Sequence, residues 1–436
     1  MDYHAAVDAL TSRGRFGISL GLERVSAILD QLGHPERSLR GALVGGTNGK
    51  GSVVAMLGGV LGAAGLGVGT MPKPHLVSYR ERIAIDGEPL SEARFAATIA
   101  RVLPAVDAVA RRLGPPTEFE ALTAAALVEL SRAGVDVALV EVGMGGRLDA
   151  TNAVDLGVAV ITNVQLDHER YLGRTLAAIG GEKAAIIKSG DLAVTGASGH
   201  GLAPILDRCA AVDAPLRRCG ARQPYHVDVR HSGWDGLLTD ATTPAGTLHD
   251  VRIGLLGGHQ AANAAIALAT LDALAERHGL TVSEEQLRRG LASARWPGRL
   301  ELLDTAQLGG RVLLDGAHNP AGARALARAL AELDVTDAPL VFGAMRGKRV
   351  DAVLRALAPL GLRPVFTAVA DGHPFAPDEL SRRWARISDV PARAAGAPSE
   401  ALQLAAELRR GEQPIVVAGS LYLVGAVRGE LLGSEA

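Results

Sequence analysis

The chain has two cysteines in 436 residues, Cys209 and Cys219, too few for a disulfide framework and at no metal-ligand spacing from a histidine. A reducing, cytoplasmic setting is expected. Neither sign of charge is in excess: 45 Lys and Arg stand against 47 Asp and Glu, for a net charge of −2. With no basic tract, the electrostatic footprint of a nucleic-acid or acidic-membrane binder is missing, so any anionic ligand must be held by a local site. No apolar run reaches the roughly 18 uninterrupted residues of a membrane span, and Met1 to Leu10 lacks a signal pattern, so neither membrane insertion nor export is expected. Aromatics are scarce at 3% while glycines number 53. That bias suits tight backbone turns around a ligand, and a GC-rich genome would produce it too.

What remains is an ordinary globular composition, 48% hydrophobic and 21% charged, long enough for two or three domains of roughly 150 residues. Short β-branched or apolar runs alternate with longer Ala- and Leu-rich amphipathic segments, the pattern of βαβ units on a parallel sheet. Strands are predicted at Ala42–Gly45, Val137–Glu141, Leu156–Thr162 and Leu192–Thr195, with helices at Gly51–Ala64, Ser91–Leu113, Glu120–Ala133 and Thr175–Lys188. From Tyr225 to Gly257 the runs shorten and alternate, predicting an antiparallel flap, followed by helices at Gln260–His278 and Ser283–Ser293. Periodicity breaks at Arg295-Trp296-Pro297-Gly298-Arg299 and strand–helix alternation restarts at Arg311. The predicted class is therefore α/β: a parallel-sheet domain over 1–296 and a smaller α/β domain over 297–436, with neither internal repeat nor low-complexity linker.

The strongest local signal is Ala42 to Ser52, a strand running into Gly45-Gly46-Thr47-Asn48-Gly49-Lys50-Gly51-Ser52 and a helix. Glycines let backbone N–H groups approach an anion, the helix N-terminus adds positive potential, and Lys50 reaches terminal phosphates. The standard P-loop spacing fails twice: Val44 stands where its first Gly would be, and Gly51 separates Lys50 from Ser52. A second apolar strand ends in Glu141 before a Gly-rich turn, which puts a carboxylate at the sheet edge where open α/β sheets bind ligands and where Mg²⁺ bridging nucleotide phosphates would sit. A third strand delivers Asp167 and His168 to that edge. Lys183, in a helix rich in Ala, Ile and Gly, reads either as reactive in an apolar setting or as half of an exposed Glu182–Lys183 pair. Gly258 to Asn263 starts a helix with amides suited to reading a base edge, though polar N-terminal turns are common; Asp315 to Pro320 and Gly419 to Tyr422 follow strands and suit a second ligand, a lid completing the nucleotide site, or ordinary capping.

Taken together, these segments resemble the folylpolyglutamate synthase and dihydrofolate synthase family of the Mur-ligase superfamily. The likeness runs in order through Leu20 to Arg24, Gly46 to Ser52, Pro74-His75-Leu76, Glu81-Arg82-Ile83, Thr117 to Glu120, Glu141 to Asn152, Leu166-Asp167-His168, Glu182-Lys183-Ala184, His259-Gln260, Pro297-Gly298-Arg299, Asp315 to Pro320 and Gly419 to Tyr422. The resemblance implies a Mur-ligase ATP-binding domain over 1–296 and a glutamate-ligase domain over 297–436. It implies that ATP phosphorylates a folate carboxylate and that L-glutamate attacks the acyl phosphate. On it, Thr47, Asn48, Gly49, Lys50, Gly51 and Ser52 cradle ATP with Asn263, Arg299 and Asp315. Ser52, Glu141, His168 and a carbamylated Lys183 hold Mg²⁺. Lys50, Lys183 and His318 serve catalysis, and Leu20, Gly21, Thr117, Phe119, Glu120, Leu148, Asp149, Ala150 and Ser420 line the substrate. The expected partners are small molecules (pterin or folate, L-glutamate and ATP), with no nucleic acid or membrane, in a monomer. One departure stands out: where the family usually carries a metal-ligating serine before Pro74, this chain has Lys73, which as a cation cannot ligate a metal. A Mur-type ligase for another carboxylate, or a nucleotide-binding module without ligase chemistry, are the alternative readings.

Overall fold

The computed structural model describes residues 1–13, 21–369 and 372–433. The strands of the first sheet are β1 (Gly41–Gly45), β2 (Val68–Met71), β3 (Ala84–Ile85), β4 (Glu88–Pro89), β5 (Val137–Glu141), β6 (Gly157–Ile161), β7 (Leu192–Thr195) and β8 (Leu216–Arg218). They lie in the order β4-β3-β2-β5-β1-β6-β7-β8, and every pairing from β2 to β8 is parallel. The apolar runs at β1, β5 and β6 are buried along their whole length, as strands covered by helices on both faces must be. Helices Glu92–Leu113 and Glu118–Ala133 pack against one face, and Lys50–Ala63 and Gln260–His278 against the other, giving two separate apolar cores. Ser91 caps its helix by accepting from the Arg94 N–H, as its place ahead of the amphipathic run predicts.

The expected antiparallel flap is a three-stranded sheet, β9 (His226–Gly233), β10 (Gly236–Thr243) and β11 (Gly246–Ile253), paired in the order β11-β10-β9. A third sheet holds β12 (Glu301–Thr305), β13 (Gly310–Leu314), β14 (Pro339–Phe342), β15 (Arg363–Thr367), β16 (Arg393–Ala395) and β17 (Ile415–Ala418) in the order β12-β13-β17-β14-β15-β16. Only β12 is antiparallel there. The sequence pattern had no prediction for β2 to β4, β8, β12, β16 or the helices Tyr3–Thr11, Glu23–Gln31, Ala203–Val212 and Pro377–Trp384. The strands among these are short or edge elements whose pairing comes from neighbours distant in sequence. The helix predicted to Lys188 ends at Ala184, because Lys188 turns to bond Asn152 Oδ1 and the Val154 carbonyl at 3.0 and 2.9 Å.

Both parallel sheets point the carboxyl ends of their central strands at one crevice. From the first, β1 runs into the glycine loop, β5 ends at Glu141 and β6 is followed by Thr162 and Asn163; from the third, β13 delivers Asp315 and β17 delivers Gly419-Ser420. Ligands of open α/β sheets bind at such edges, where strand order changes direction and the connecting loops part.

Candidate active site

A cavity of about 790 Å³ lies in that crevice. Every site residue predicted from the sequence lines it except Leu20, which lies outside the described residues. Residues from Gly21 to Tyr422 thus converge on a single space, although nothing in their linear spacing requires it.

At one end stands the glycine loop. Gly49 has a φ of 83°, a left-handed conformation that glycine adopts without strain, and a Cβ there would collide with Asn263 Oδ1. The loop is clamped from β6: the Asn48 N–H donates to Asn163 Oδ1 at 3.1 Å, while Asn163 Nδ2 and Thr162 Oγ1 donate to the Asn48 carbonyl at 2.9 and 2.6 Å. Lys50 and Ser52 begin the following helix. The Lys50 ammonium folds back onto the carbonyls of Gly46 and Thr47, both at 3.3 Å, and lies 3.8 Å from Glu141. Glu141 is buried, and burial raises its pKa against the pull of Lys50 and of the Lys73 N–H that donates to it at 3.1 Å. The charges of Lys50, Arg299 and Lys73 all act on this buried carboxylate.

Lys183 is buried at 3% exposure and donates to the Gly46 carbonyl at 2.9 Å. Burial, reinforced by Lys50, lowers its pKa to about 7, so a large share of the amine is neutral at physiological pH. Of the two sequence readings the reactive one fits this setting; Glu182 pairs with Arg147 instead. His168 is exposed at the cavity, where local desolvation and the Lys348 ammonium lower its pKa to about 4 and favour the neutral imidazole. Among the described residues no three His, Cys, Asp or Glu side chains converge as a metal cluster. Ser52, Glu141 and His168 are oxygen and nitrogen donors that line the same cavity, a chemistry compatible with a divalent cation.

The opposite wall belongs to the third sheet. Asp315 accepts from the N–H groups of Leu300 and Ala317 at 3.0 and 2.9 Å, which ties β13 to the Pro297-Gly298-Arg299 turn. His318 Nδ1 donates to the Gly316 carbonyl at 2.8 Å and its Nε2 lies 3.5 Å from Asp167. Asp167 also receives Lys348 Nζ at 2.7 Å and Asn319 Nδ2 at 3.0 Å, and Asn319 Nδ2 reaches Asn48 Oδ1 at 3.0 Å. Burial alone would raise the Asp167 pKa; the bond with His318 and the Lys348 charge overcome it and hold the carboxyl far below the usual range. Lys348 and Asn319 were not singled out from the sequence. Asn319 is legible only as the N-cap of helix Pro320–Glu332, and Lys348 sits in a loop with no motif around it.

At the remaining end, Thr117 and Glu120 form a capping box, and Glu120 also binds Arg24 Nη2 at 2.9 Å. Asp149 accepts from the Met144 N–H at 2.8 Å and Thr151 Oγ1 at 2.6 Å. These two carboxylates line the cavity yet are committed to shaping it. Phe119, Leu148, Ala150 and Gly21 supply an apolar wall suited to a flat ring.

The Mur ligase middle-domain family matches residues 44–271 and the dihydrofolate synthetase C-terminal domain family matches residues 299–431. The chain belongs to the folylpolyglutamate and dihydrofolate synthase family of Mur ligases. It is 32% identical over 450 residues to the Bacillus subtilis dihydrofolate synthase/folylpolyglutamate synthase, covering 98% of this chain and 99% of that protein. It is 38% identical over 434 residues to a Haloferax volcanii protein named probable bifunctional folylpolyglutamate synthase/dihydropteroate synthase; this ligase spans 98% of its own length there but only half of that relative's. Its structure superposes on Mycobacterium tuberculosis folylpolyglutamate synthase complexed with ADP with a TM-score of 0.91 at 34% identity, covering 99% of both chains. Such ligases use ATP to join glutamate to a folate. No helix among the described residues of this one is long and apolar enough to cross a membrane.

Proposed function

We propose that this chain adds L-glutamate to the carboxylate of dihydropteroate, of tetrahydrofolate, or of both, acting as a cytoplasmic monomer with an ATP-binding domain over 1–296 and a glutamate-ligase domain over 297–436. The observation that carries the reading is the convergence of the glycine loop, Glu141, Lys183, Asp315, His318 and Ser420 on one cavity with an apolar end at Phe119.

The glycine loop and Lys50 hold the ATP phosphates, with Asn263, Arg299 and Asp315 on the rest of the nucleotide. Glu141, Ser52 and His168, joined by Lys183 once CO₂ has converted its amine to a carbamate, would hold Mg²⁺, which when bound neutralises charge on the phosphates. An acceptor carboxylate oxygen forms a bond to the γ-phosphorus as the bond to the β–γ bridging oxygen breaks and ADP leaves with the electron pair. The resulting acyl phosphate is open to the amino nitrogen of glutamate. A C–N bond forms, the C–O bond to phosphate breaks, and phosphate departs with that pair. The amine proton passes to His318 Nε2, and the imidazolium formed there is held between the Gly316 carbonyl and Asp167. Walls from both sheets keep water from the acyl phosphate.

The test is phosphate release from ATP with L-glutamate, run in parallel with dihydropteroate, with tetrahydrofolate and without acceptor. Stimulation by either pterin supports the reading and says which glutamate is added. Turnover with glutamate and another carboxylate alone would favour a different Mur-type acceptor, and no turnover at all would favour a binding module.

A further inference from the structure

Four lysines line the cavity, and three have partners in the protein. Lys50 and Lys183 rest on loop carbonyls and Lys348 on Asp167. Lys73 differs. Its ammonium makes no hydrogen bond or ion pair with any described residue and lies over the face of Phe119, 3.5 Å from the ring centroid. The Asp149 carboxylate that crowds the same space above Gly143 is committed to Met144 and Thr151. Beside it stands Arg82, buried, with Nε donating to His75 Nδ1 at 2.9 Å and Nη1 without a hydrogen-bond partner among the described residues. A half-buried ammonium and a buried guanidinium edge short of acceptors carry a desolvation cost that an incoming anion offsets.

The position says which anion. Lys73 is tethered through its N–H to Glu141, which neighbours Lys50 at the phosphate end, while its Nζ covers Phe119 at the apolar end. Because the ammonium occupies one face of Phe119, a flat acceptor ring packs on the rest of the apolar wall at Leu148 and Ala150, and the charged end of the acceptor meets the ammonium. We propose that Lys73, flanked by Arg82, binds the reacting carboxylate of the acceptor and holds it at the junction between the phosphates and the apolar wall. This rests on the ligase reading given above.

The test measures acceptor dissociation constants by calorimetry without ATP. It uses whichever pterin the wild type turns over, and that pterin's analogue lacking the reacting carboxylate, on wild type, Lys73→Met and Lys73→Arg. Wild type is expected to prefer the acid by roughly 10- to 100-fold, the range of a hydrogen bond to a charged group. Lys73→Met erases that preference while the analogue and ADP bind as to wild type, and Lys73→Arg restores part of it. In turnover, Lys73→Met raises the acceptor KM and leaves the ATP KM unchanged. Unchanged ADP binding shows that the variant is folded. Lys73→Met that keeps the acid preference overturns the proposal, as does one that instead loses ADP affinity, since Lys73 then serves the phosphates. A wild type that neither binds nor turns over any pterin overturns the ligase reading itself; normal wild-type turnover with an unaltered Lys73→Met overturns only the role of Lys73.

Discussion

Buried ionisable groups in this chain fall into those a ligand can satisfy and those the fold carries at a cost. Asp191 is of the second kind: at 3% exposure, burial pushes its pKa up to about 6, with Asp155 adding like charge. Because the folded value lies above the ordinary value of about 3.9, the fold favours the protonated form. Its contribution to stability is present below about pH 4 and lost as pH rises through about 6. Asp191→Asn, which keeps an acceptor for the Lys188 N–H, should therefore stabilise the protein by about 2 kcal/mol at pH 8, the gain fading towards pH 4. Thermal melts of both proteins across that range check this; a gain independent of pH would remove the charge as its cause.

Two close approaches set the geometry of the helix after β1. At its start, Gly49→Ala would put a Cβ into Asn263 and force a left-handed conformation on a residue that avoids it by roughly 1–2 kcal/mol. The expected result is ADP affinity lowered about tenfold or more by calorimetry, with the same strain lowering the melting temperature by a few degrees. Further along, helices Lys50–Ala63 and Glu284–Ser293 touch backbone to backbone, and a Cβ on Gly290 would collide with Val60. Gly290→Ala should cost about 1–3 kcal/mol as overpacking, read as a lower urea midpoint at unchanged slope.

Across the whole molecule, the first and third sheets meet through Asp167, which holds His318, Lys348 and Asn319 from the far wall. Removing it leaves Lys348 without its counter-charge and frees the two walls to part. Asp167→Ala is expected to enlarge the radius of gyration of the ligand-free protein in small-angle scattering, and saturating ADP should reverse part of the change. An identical radius for the two proteins would show that the remaining contacts close the cleft unaided. The same joint explains what was hard to read in advance. Lys348 carries no motif, and its role exists only because a loop after β14 reaches across to β6. Asn319 reads as a helix cap whether or not it bridges two sheets.

The strands at β1, β5, β6 and β7 and the helix Gln260–His278 were set by local patterning, since a strand buried on both faces must be apolar throughout and a helix must show its period. The glycine loop and Glu141 were legible for a similar reason: the chemistry of holding phosphate restricts which residues can stand after a strand. Tertiary structure alone decided that Glu120 and Asp149 line the cavity with their oxygens committed to neighbouring groups, that Lys183 is withdrawn from water, and that Lys73 lies on Phe119 with no hydrogen-bond or ion-pair partner among the described residues. Each of these depends on which distant groups compete for the same hydrogen bonds, a matter that spacing along the chain does not determine.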